Sequence, residues 1–347
     1  MKTLKRINSV KRNVMRTITK NIGSRDVQHR FIPTHQIEIK RILISRPNKR
    51  LGNLLLTTPL LQEVISTFPN SKIDLFIKGN LGYAVFKNYE NVNIIEVPQR
   101  PFKHLFKYIR AWILIKIHHY DLAINVIRNS SSGRISTQFA NAEFKFYGDM
   151  NLDIELKNND QNHFAKYPVY AFRTYLQQSG LSNFSNEIQP LNLKLDASEI
   201  AAGKKILNGL VKNDKKTICL FTYATGNKCY PESWWENFYE RIKNEFPNEN
   251  IIEVLPIQNI SKISFQAPTF SSKDIREVGS LIANCDVFIG ADGGVMHLSN
   301  AVNTPTIGLF SVTNPVTYTP YNNKSVAIKT DENDTDECIR VLHSILG

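Results

Sequence analysis

The chain has 347 residues, of which 42% are hydrophobic and 21% are charged. That length is enough for two globular domains, each with its own core. Lys, Asp or Asn interrupts every apolar run before the ~18 residues that a membrane-spanning helix needs, which excludes a bilayer-spanning protein. The first twenty residues are basic but lack the apolar region and cleavage site of a secretory signal, and this favours a cytoplasmic location.

Nine Lys or Arg residues and one acid, Asp26, give residues 1–30 a charge of +8 out of a net +12. Such a segment favours anionic lipid head groups, at about 1 kcal/mol per basic residue near the surface. Apolar residues recur in it every four positions, at Val10, Val14, Ile18 and Ile22, which is typical of an amphipathic helix. A solvated extension without a partner is the alternative. Nucleic acid is not expected, because no aromatic residue precedes Phe31 for bases to stack on.

Four cysteines, Cys219, Cys229, Cys285 and Cys338, stand far apart in the sequence. None of their spacings is typical of a zinc site or a redox pair. Because a reducing compartment disfavours disulfides, we expect free thiols.

From His35 onwards the sequence alternates β-branched runs, loops with Gly or Asn, and stretches of helical periodicity, an order typical of parallel α/β architecture. The predicted strands are Arg41–Ser45, Lys72–Ile77, Asn93–Val97, Asp121–Val126, Glu143–Tyr147, Thr217–Thr222, Asn250–Leu255, Asp286–Gly290 and Thr306–Phe310. The predicted helices include Tyr167–Gln178, Glu232–Glu245, Ser272–Ala283 and Cys338–Leu346. Two doubly wound α/β halves follow from this order.

A polar stretch, Leu181–Lys194, contains Pro190 and separates the two halves. We therefore predict four regions along the chain. They are a basic extension (1–38), a first Rossmann-like domain (39–185), a second one (195–325) and a C-terminal helical region (326–347) that is expected to pack back on the first domain.

The segment Asp286–Pro315 contains an apolar strand, then Asp292, Gly293 and Gly294, then a stretch of helical periodicity. Ligands of open α/β sheets bind at the carboxyl ends of strands, where a following helix presents unpaired N–H groups to a phosphate. The two glycines allow close approach of the backbone to a diphosphate. The alternative, an Asp-Gly hairpin turn, is disfavoured by the helical periodicity.

Two side chains of this segment are candidate ligands of a nucleotide-sugar donor. Asp292 would hold sugar hydroxyls. His297 lies one turn inside the helix, where a packing role is as well supported as a ligand contact.

A second candidate element follows the first strand of the second half. Thr222, Thr225 and Lys228 lie in a loop before Pro231, which opens a helix. Hydroxyl groups and an ammonium group there would stabilise a diphosphate leaving group. The alternative is an ordinary exposed loop lysine.

These elements together resemble the heptosyltransferase family of lipopolysaccharide biosynthesis, glycosyltransferase family 9. The resemblance lies in the order of a strand, a Thr-rich loop, Lys228 and Tyr-Pro-Glu-x-Trp, followed by Asp-Gly-Gly-Val-Met-His-Leu-x-Asn-Ala-x-x-Thr-Pro and Leu-Phe-x-x-Thr-Asn-Pro. Near the start, Arg41-Ile-Leu-Ile-Ser-Arg and Leu51-Gly-Asn-Leu-Leu-Leu-Thr-Thr-Pro resemble the family's first strand, glycine turn and helix. Phe68-Pro-Asn-Ser-Lys-Ile-Asp-Leu fits its second strand.

The resemblance implies a GT-B fold, in which two doubly wound Rossmann-like domains enclose a cleft. It implies a donor nucleotide in the second domain, an acceptor on the first, and inverting transfer without a metal or cofactor. The implied donor is ADP-heptose and the implied acceptor an anionic lipopolysaccharide or lipooligosaccharide core glycolipid at the inner membrane. Two alternatives stay open: another nucleotide-hexose donor for a cell-surface glycan, and a catalytically idle relative that binds nucleotide-sugar or glycolipid.

One position departs from the family pattern. The family has Gly-Asp after the first strand, with the aspartate proposed as catalytic base, whereas this chain has Gly52-Asn53. A neutral amide does not accept a proton at physiological pH, so Asn53 would orient an acceptor hydroxyl. The base would be Asp292 or a carboxylate from the first-domain loops, unless the transfer proceeds without a discrete base.

A basic cluster, Arg46, Lys49 and Arg50, precedes Gly52. Loops at the carboxyl ends of strands face the ligand crevice, so these residues and Gly52 are predicted to bind the anionic acceptor. An ordinary solvated loop is the alternative.

Overall fold

The computed structural model describes residues 13–23, 38–150, 157–178, 187–330 and 335–347. Two parallel β-sheets organise this part of the chain. The first has the order β3-β2-β1-β4-β5 and the second β11-β10-β9-β6-β7-β8. All strand pairs are parallel, so the loops that follow the strands of each sheet emerge at one edge.

The strands of the first sheet are β1 Arg41–Arg46, β2 Lys72–Lys78, β3 Val92–Val97, β4 Tyr120–Asn125 and β5 Ala142–Phe146. The helices around it are α2 Leu51–Leu55, α3 Thr58–Thr67, α4 Leu81–Val85, α5 Leu105–Ile117, α6 Ser131–Phe139 and α7 Tyr167–Gln177. Leu43 and Phe76 pack with Ala111 and Ile115 of α5 on one face of this sheet. Ile42 and Ile44 are buried with Leu61 and Val64 of α3 in a separate cluster, so apolar residues cover both faces, as a doubly wound sheet requires.

The strands of the second sheet are β6 Thr217–Phe221, β7 Asn250–Val254, β8 Thr269–Phe270, β9 Val287–Ala291, β10 Thr306–Phe310 and β11 Val326–Lys329. Its helices are α8 Ala197–Val211, α9 Glu232–Glu245, α10 Ile275–Ile282, α11 Gly294–Ala301, α12 Pro315–Tyr318 and α13 Asp336–Leu346. A capping box between Asp196 and Glu199 starts α8, and the Asp274 side chain caps α10. Both caps satisfy N–H groups that a helix start leaves unpaired.

All nine predicted strands form, and no strand end differs from the prediction by more than one residue. The α/β prediction of two doubly wound halves is confirmed. Two strands at the edges of the second sheet, β8 and β11, were not predicted. The four cysteines are free thiols, as expected, and Cys229 is the one that is not buried.

The predicted docking of the C-terminal helix on the first domain is wrong. Cys338, Ile339, Leu342 and Leu346 of α13 are buried in one cluster with Ile218 and Leu220 of β6. The Arg241 guanidinium of α9 pairs with Asp336 at 2.5 Å. The helix therefore covers a face of the second sheet, because the apolar residues that match its buried side belong to that sheet.

The N-terminal extension contributes a short helix, α1, at residues 13–19. The guanidinium of Arg134 in α6 donates hydrogen bonds to the carbonyl oxygens of Thr19 and Lys20, at 3.1 and 3.2 Å, and to that of Ile22. Three accepting carbonyls at the end of α1 fix this turn on the first domain. Val10 lies outside the described residues, as do residues 181–186 of the predicted linker, so the domain boundaries stay a prediction.

No helix in the described ranges combines the length and the apolar character that a membrane crossing demands.

Candidate active site between the two sheets

The two halves meet where the first turn of α2 lies against the first turn of α11. The Cα atom of Gly294 lies 3.5 Å from the position that a Cβ atom on Gly52 would take, and the His297 Cδ2 atom lies only 2.7 Å from it. On the other side of the same contact, a Cβ atom on Gly294 would lie 3.2 Å from the Leu51 Cβ atom. The absence of a side chain at both positions is what allows this approach. It brings the loop after β1 and the loop after β9 to one place.

Asp292 and Lys228 form an ion pair at this junction. The Asp292 side chain follows β9 and is 5% exposed, whereas the Lys228 side chain follows β6 and is 34% exposed. A buried carboxylate needs such a partner to offset the loss of hydration. The sequence prediction that these two residues belong to one site is consistent with this contact.

Gly293 and Gly294 start α11, and no side chain caps the helix. The Asp292 N–H instead donates to the Leu309 carbonyl oxygen of β10, at 2.9 Å, and the His297 N–H donates to that of Gly293, at 3.2 Å. The N–H groups of the first turn carry the partial positive charge of the helix dipole. Together with Lys228 they make a positive site suited to a diphosphate.

His297 is a buried residue of this junction. Its pKa is lowered to about 4, chiefly by burial, which Asp292 opposes and to which the nearby His163 and Lys228 add. The imidazole is therefore neutral at physiological pH. Its ring lies 6.0 Å from that of Tyr318 and against Gly52, so it packs the interface between the halves.

Thr222 and Thr225 differ in their surroundings. The hydroxyl of Thr222 is buried, donates to Glu253 at 2.5 Å and accepts the Lys262 N–H at 3.0 Å. Its hydroxyl thus makes its hydrogen bonds inside the second domain, and its contact with the donor stays a prediction. Thr225, by contrast, is exposed before a 3₁₀ turn at Gly226–Lys228, where it is open to a ligand.

Asn53 lies in the first turn of α2, beside the glycine contact. Its amide Nδ2 donates to the Asn48 Oδ1 atom at 3.1 Å, and the same oxygen accepts the Arg50 N–H at 2.9 Å. This pairing holds the loop after β1 in shape. The Asn53 amide oxygen therefore remains the group by which this position can orient a hydroxyl.

The three basic residues of that loop have unequal surroundings. The guanidinium of Arg46 is buried, which lowers its pKa to about 10, while the nearby Tyr318 opposes the shift. The Lys49 ammonium donates to the Gln99 Oε1 atom at 3.2 Å, and both it and Arg50 are exposed. Arg46 and Arg50 both lie near enough to Tyr318 for their charges to act on it, whereas the Lys49 ammonium is directed to Gln99.

Sequence reasoning missed two aromatic residues of the site, Tyr318 and His163. The Lys228 ammonium lies 5.6 Å from the centre of the Tyr318 ring, and that ring stacks on Phe164 at 5.2 Å and an angle of 10°. The His163 Nε2 atom is 2.9 Å from the Thr319 carbonyl oxygen, and burial lowers the His163 pKa to about 4. Residues 163–164 and 318–319 thus join the halves a second time.

A first-domain carboxylate, Asp160, lies near this second contact. It is held by the Lys166 ammonium at 2.9 Å and by the Tyr170 hydroxyl at 3.3 Å. A cavity of about 450 Å³ opens beside it, between Arg128 and Phe164 of the first half and Asn314 and Thr317 of the second. Because residues of both halves line this cavity, it is the candidate binding site for the acceptor.

A larger cavity, of about 750 Å³, lies beyond Lys228 in the second half. Cys229, Tyr230 and Trp234 line it on one side, and Ser311 and Val312 after β10 on the other. It therefore adjoins the loop that carries Lys228.

Three side chains that could hold a metal ion, His119, Asp121 and Glu143, lie at the amino ends of β4 and β5. Asp121 there accepts the N–H groups of Lys40 and Arg41 at 2.7 and 2.8 Å. This group is at the opposite edge of the first sheet from the junction.

Known proteins resemble the chain in sequence and in fold. Residues 267–343 match the family model described as glycosyltransferase family 9 (heptosyltransferase). Lipopolysaccharide heptosyltransferase 3 of Escherichia coli is 20% identical over 296 residues, which are 79% of this chain and 85% of the relative.

Among solved structures, a glycosyl transferase family 9 protein from Veillonella parvula has a TM-score of 0.69 at 17% identity, over 89% of this chain and 98% of that one. The E. coli ADP-heptose lipopolysaccharide heptosyltransferase II has a TM-score of 0.62 at 14% identity, over the same shares. The predicted GT-B fold, with two Rossmann-like domains, is confirmed.

Proposed function

We propose that the chain is a heptosyltransferase of the kind found in glycosyltransferase family 9, and that it moves heptose from ADP-heptose onto a lipopolysaccharide or lipooligosaccharide core. We propose further that the transfer inverts the anomeric centre and needs no metal. The observation that carries the proposal is the junction of α2 and α11, where Asp292 and Lys228 pair beside the uncapped start of α11.

Diphosphate binding at this junction follows from its charges. The N–H groups at the start of α11 and the Lys228 ammonium attract the two phosphates, and they stabilise the negative charge that grows on the leaving nucleotide. Lys228 then shares its charge between the phosphates and Asp292. The Asp292 carboxylate is thereby released in part to accept hydrogen bonds from the sugar.

Proton removal from the acceptor hydroxyl needs a basic group. Two carboxylates are candidates for this role: Asp292, in the second domain, and Asp160, whose charge acts on His163 in the first. The Asn53 amide oxygen would orient the hydroxyl, because an amide accepts a hydrogen bond without taking up the proton. Arg46 adds a fixed positive charge that suits an anionic acceptor.

A lipid-linked acceptor places the protein at the cytoplasmic face of the inner membrane. The charge of residues 1–30 supports this location, and the outward Val14, Met15 and Ile18 of α1 are 51%, 42% and 66% exposed. Changing Lys2, Lys5, Arg6, Lys11 and Arg12 to Gln should weaken binding to anionic vesicles. Unchanged binding to anionic vesicles would contradict the proposed role of residues 1–30 at the membrane.

Nucleic acid is not proposed as a partner.

The donor is tested by thermal stabilisation of the protein with ADP-heptose, UDP-sugars and GDP-sugars, each added separately, followed by transfer assays with delipidated core oligosaccharide. ADP-heptose is expected to raise the melting temperature and to support transfer. A rise with non-ADP donors alone would contradict the heptose assignment and favour another nucleotide-hexose.

A second candidate function, a catalytically idle relative that binds nucleotide-sugar or glycolipid, is favoured by the Asn53–Asn48 pair. In that case the donor would bind but neither transfer nor hydrolysis would occur. Measurement of free ADP with and without acceptor separates the two functions.

A further inference from the structure

The outer face of α5 is apolar and uncovered in the described part of the chain. Phe102, in the 3₁₀ turn that precedes the helix, is 99% exposed, and Phe106 is 90% exposed. Leu105, Ile109, Ile113 and Ile117 are 45–65% exposed. The residues within α5 form one stripe in helical projection, because they recur at intervals of three and four, and Phe102 lies just before this stripe.

The opposite face of α5 is buried against the first sheet. Ala111 and Ile115 are buried with Leu43 and Phe76, and the Trp112 ring meets Phe76 edge to face at 5.4 Å. The helix is therefore apolar on both sides. A helix on the surface of a soluble protein normally has one apolar side. A second, exposed apolar side is typical of a surface that binds a partner.

Charge identifies the class of partner. Between Glu96 and Asp121 the sequence contains no acid, but it contains Arg100, Lys103, Lys107, Arg110 and Lys116. Lys103 and Lys107 are exposed beside the stripe, and the Lys116 ammonium lies 5.5 Å from the centre of the Phe139 ring, itself 42% exposed. Aromatic and aliphatic residues framed by Lys and Arg are typical of helices that lie in the head-group region of anionic bilayers.

The stripe begins near the acceptor loop. Gln99, three residues before Phe102, accepts a hydrogen bond from the Lys49 ammonium at 3.2 Å. The 3₁₀ turn at Pro101–Lys103 follows β3, so its Phe102 emerges at the sheet edge that faces the cleft. A surface that holds α5 on a bilayer would thus bring the cleft to within reach of a lipid-linked acceptor.

We propose that the outer face of α5, from Phe102 to Ile117, is a docking surface that inserts into the head-group region of an anionic phospholipid bilayer. It is separate from the basic N-terminal segment, and it relies on the proposed function only for its purpose, the capture of a lipid-linked acceptor. Docking itself needs neither donor nor acceptor.

The test is flotation of the full chain with vesicles of phosphatidylcholine, with and without phosphatidylglycerol. Phe102→Ser combined with Phe106→Ser removes the two most exposed rings, and we expect it to weaken binding to phosphatidylglycerol vesicles about tenfold or more. Because both rings are almost fully exposed, the fold should be unaffected. Lys103→Gln with Lys107→Gln should reduce the preference for phosphatidylglycerol several-fold.

Matched controls lie on the second half of the chain. Ile257→Ser removes an apolar side chain that is 66% exposed, and Lys204→Gln with Lys205→Gln removes two exposed charges from α8. Neither control should change vesicle binding. Donor-induced thermal stabilisation should also be unchanged in the Phe variant, so that failed docking is distinguished from a failed donor site.

Two results would overturn the proposal. One is a wild-type protein that does not bind phosphatidylglycerol vesicles, and the other is a Phe102→Ser, Phe106→Ser variant that binds them as tightly as wild type. If sedimentation shows a wild-type dimer that the Phe variant abolishes, and vesicles are not bound, the stripe contacts a second copy of the chain instead.

Discussion

Gly52 and His297 face each other across the two halves so closely that a Cβ atom on Gly52 would lie 2.7 Å from the His297 Cδ2 atom. The imidazole is buried and cannot move aside freely. The glycine of the first strand-to-helix turn is thus required by the His297 side chain of α11, although almost 250 residues separate the two in the sequence.

Gly52→Ala should lower the free energy of unfolding by about 1–3 kcal/mol, because overpacking displaces the imidazole or separates α2 from α11. Gly209→Ala is the matched control, since it lies in α8 with open space around it. That control should be neutral or stabilising by about 0.5–1 kcal/mol. Urea unfolding measures both, and equal stabilisation of the two variants would refute a tight contact at Gly52.

Lys228→Met should raise the Kd for ADP about 10- to 100-fold, since a hydrogen bond to a charged group contributes about 1.5–3 kcal/mol. Titration calorimetry with ADP measures this. The variant also leaves Asp292 without its cation, so Lys228→Met with Asp292→Asn separates lost binding from lost folding. Lys243→Met, whose ammonium pairs with Glu240 on the surface, should leave the Kd unchanged.

Asn53→Asp restores a carboxylate at the position of the family's base. If that position lies at the reacting hydroxyl, kcat should rise at least tenfold, and the rate should fall below about pH 5 as the new carboxylate is protonated. Asn48→Asp is the control for charge alone. A transfer rate and pH profile equal to those of wild type would place the base at another residue.

Stability should fall as the pH drops from about 6.5 to about 4. His297 and His163 have pKa values lowered to about 4, chiefly by burial, whereas an unfolded histidine titrates near 6.5. Between these values the unfolded chain binds protons that the folded chain does not, so each histidine costs about 2 kcal/mol of stability by pH 5.

Urea unfolding at pH 7 and pH 5 checks this dependence. In His297→Gln the difference between the two pH values should shrink by about 2 kcal/mol. His104→Gln, at an exposed histidine, is the control. If wild type, His297→Gln and His104→Gln all show the same difference in unfolding free energy between pH 7 and pH 5, the burial of His297 at the junction does not control the titration.

Arg134→Met should release the N-terminal turn from the first domain. Three carbonyl oxygens at Thr19, Lys20 and Ile22 lose their donor, so amide hydrogen exchange over residues 13–23 should become faster. Arg340→Met, an exposed site on α13, should leave that exchange as it is. Exchange that is unaffected by Arg134→Met would mean that other contacts hold the turn.

Local pattern was enough to predict the strands that carry the site. β8 was missed because two residues, Thr269–Phe270, are too short to show an alternating pattern, and β11 because Val326–Lys329 is a brief run after a polar turn. The amphipathic pattern of α13 correctly indicated a buried side but contained no information about which sheet would cover it.

Prediction of the site was limited by long-range contacts. Asp292 and Lys228 follow strands that pair in parallel, β9 and β6, so their meeting follows from topology. The burial of the Thr222 hydroxyl against Glu253 was not predictable from local sequence, because Glu253 belongs to another strand. His163 gave no local signal, since its role depends on Thr319, 156 residues away.

The arrangement of the cysteines makes the loop that carries Lys228 accessible to selective chemical labelling. Three of the four thiols are buried, and the fourth, Cys229, directly follows Lys228 and lines the larger cavity. A maleimide dye applied to native protein should therefore label this loop first. Bound nucleotide-sugar would shield the thiol, and the labelling rate would then report donor occupancy without any change to the sequence.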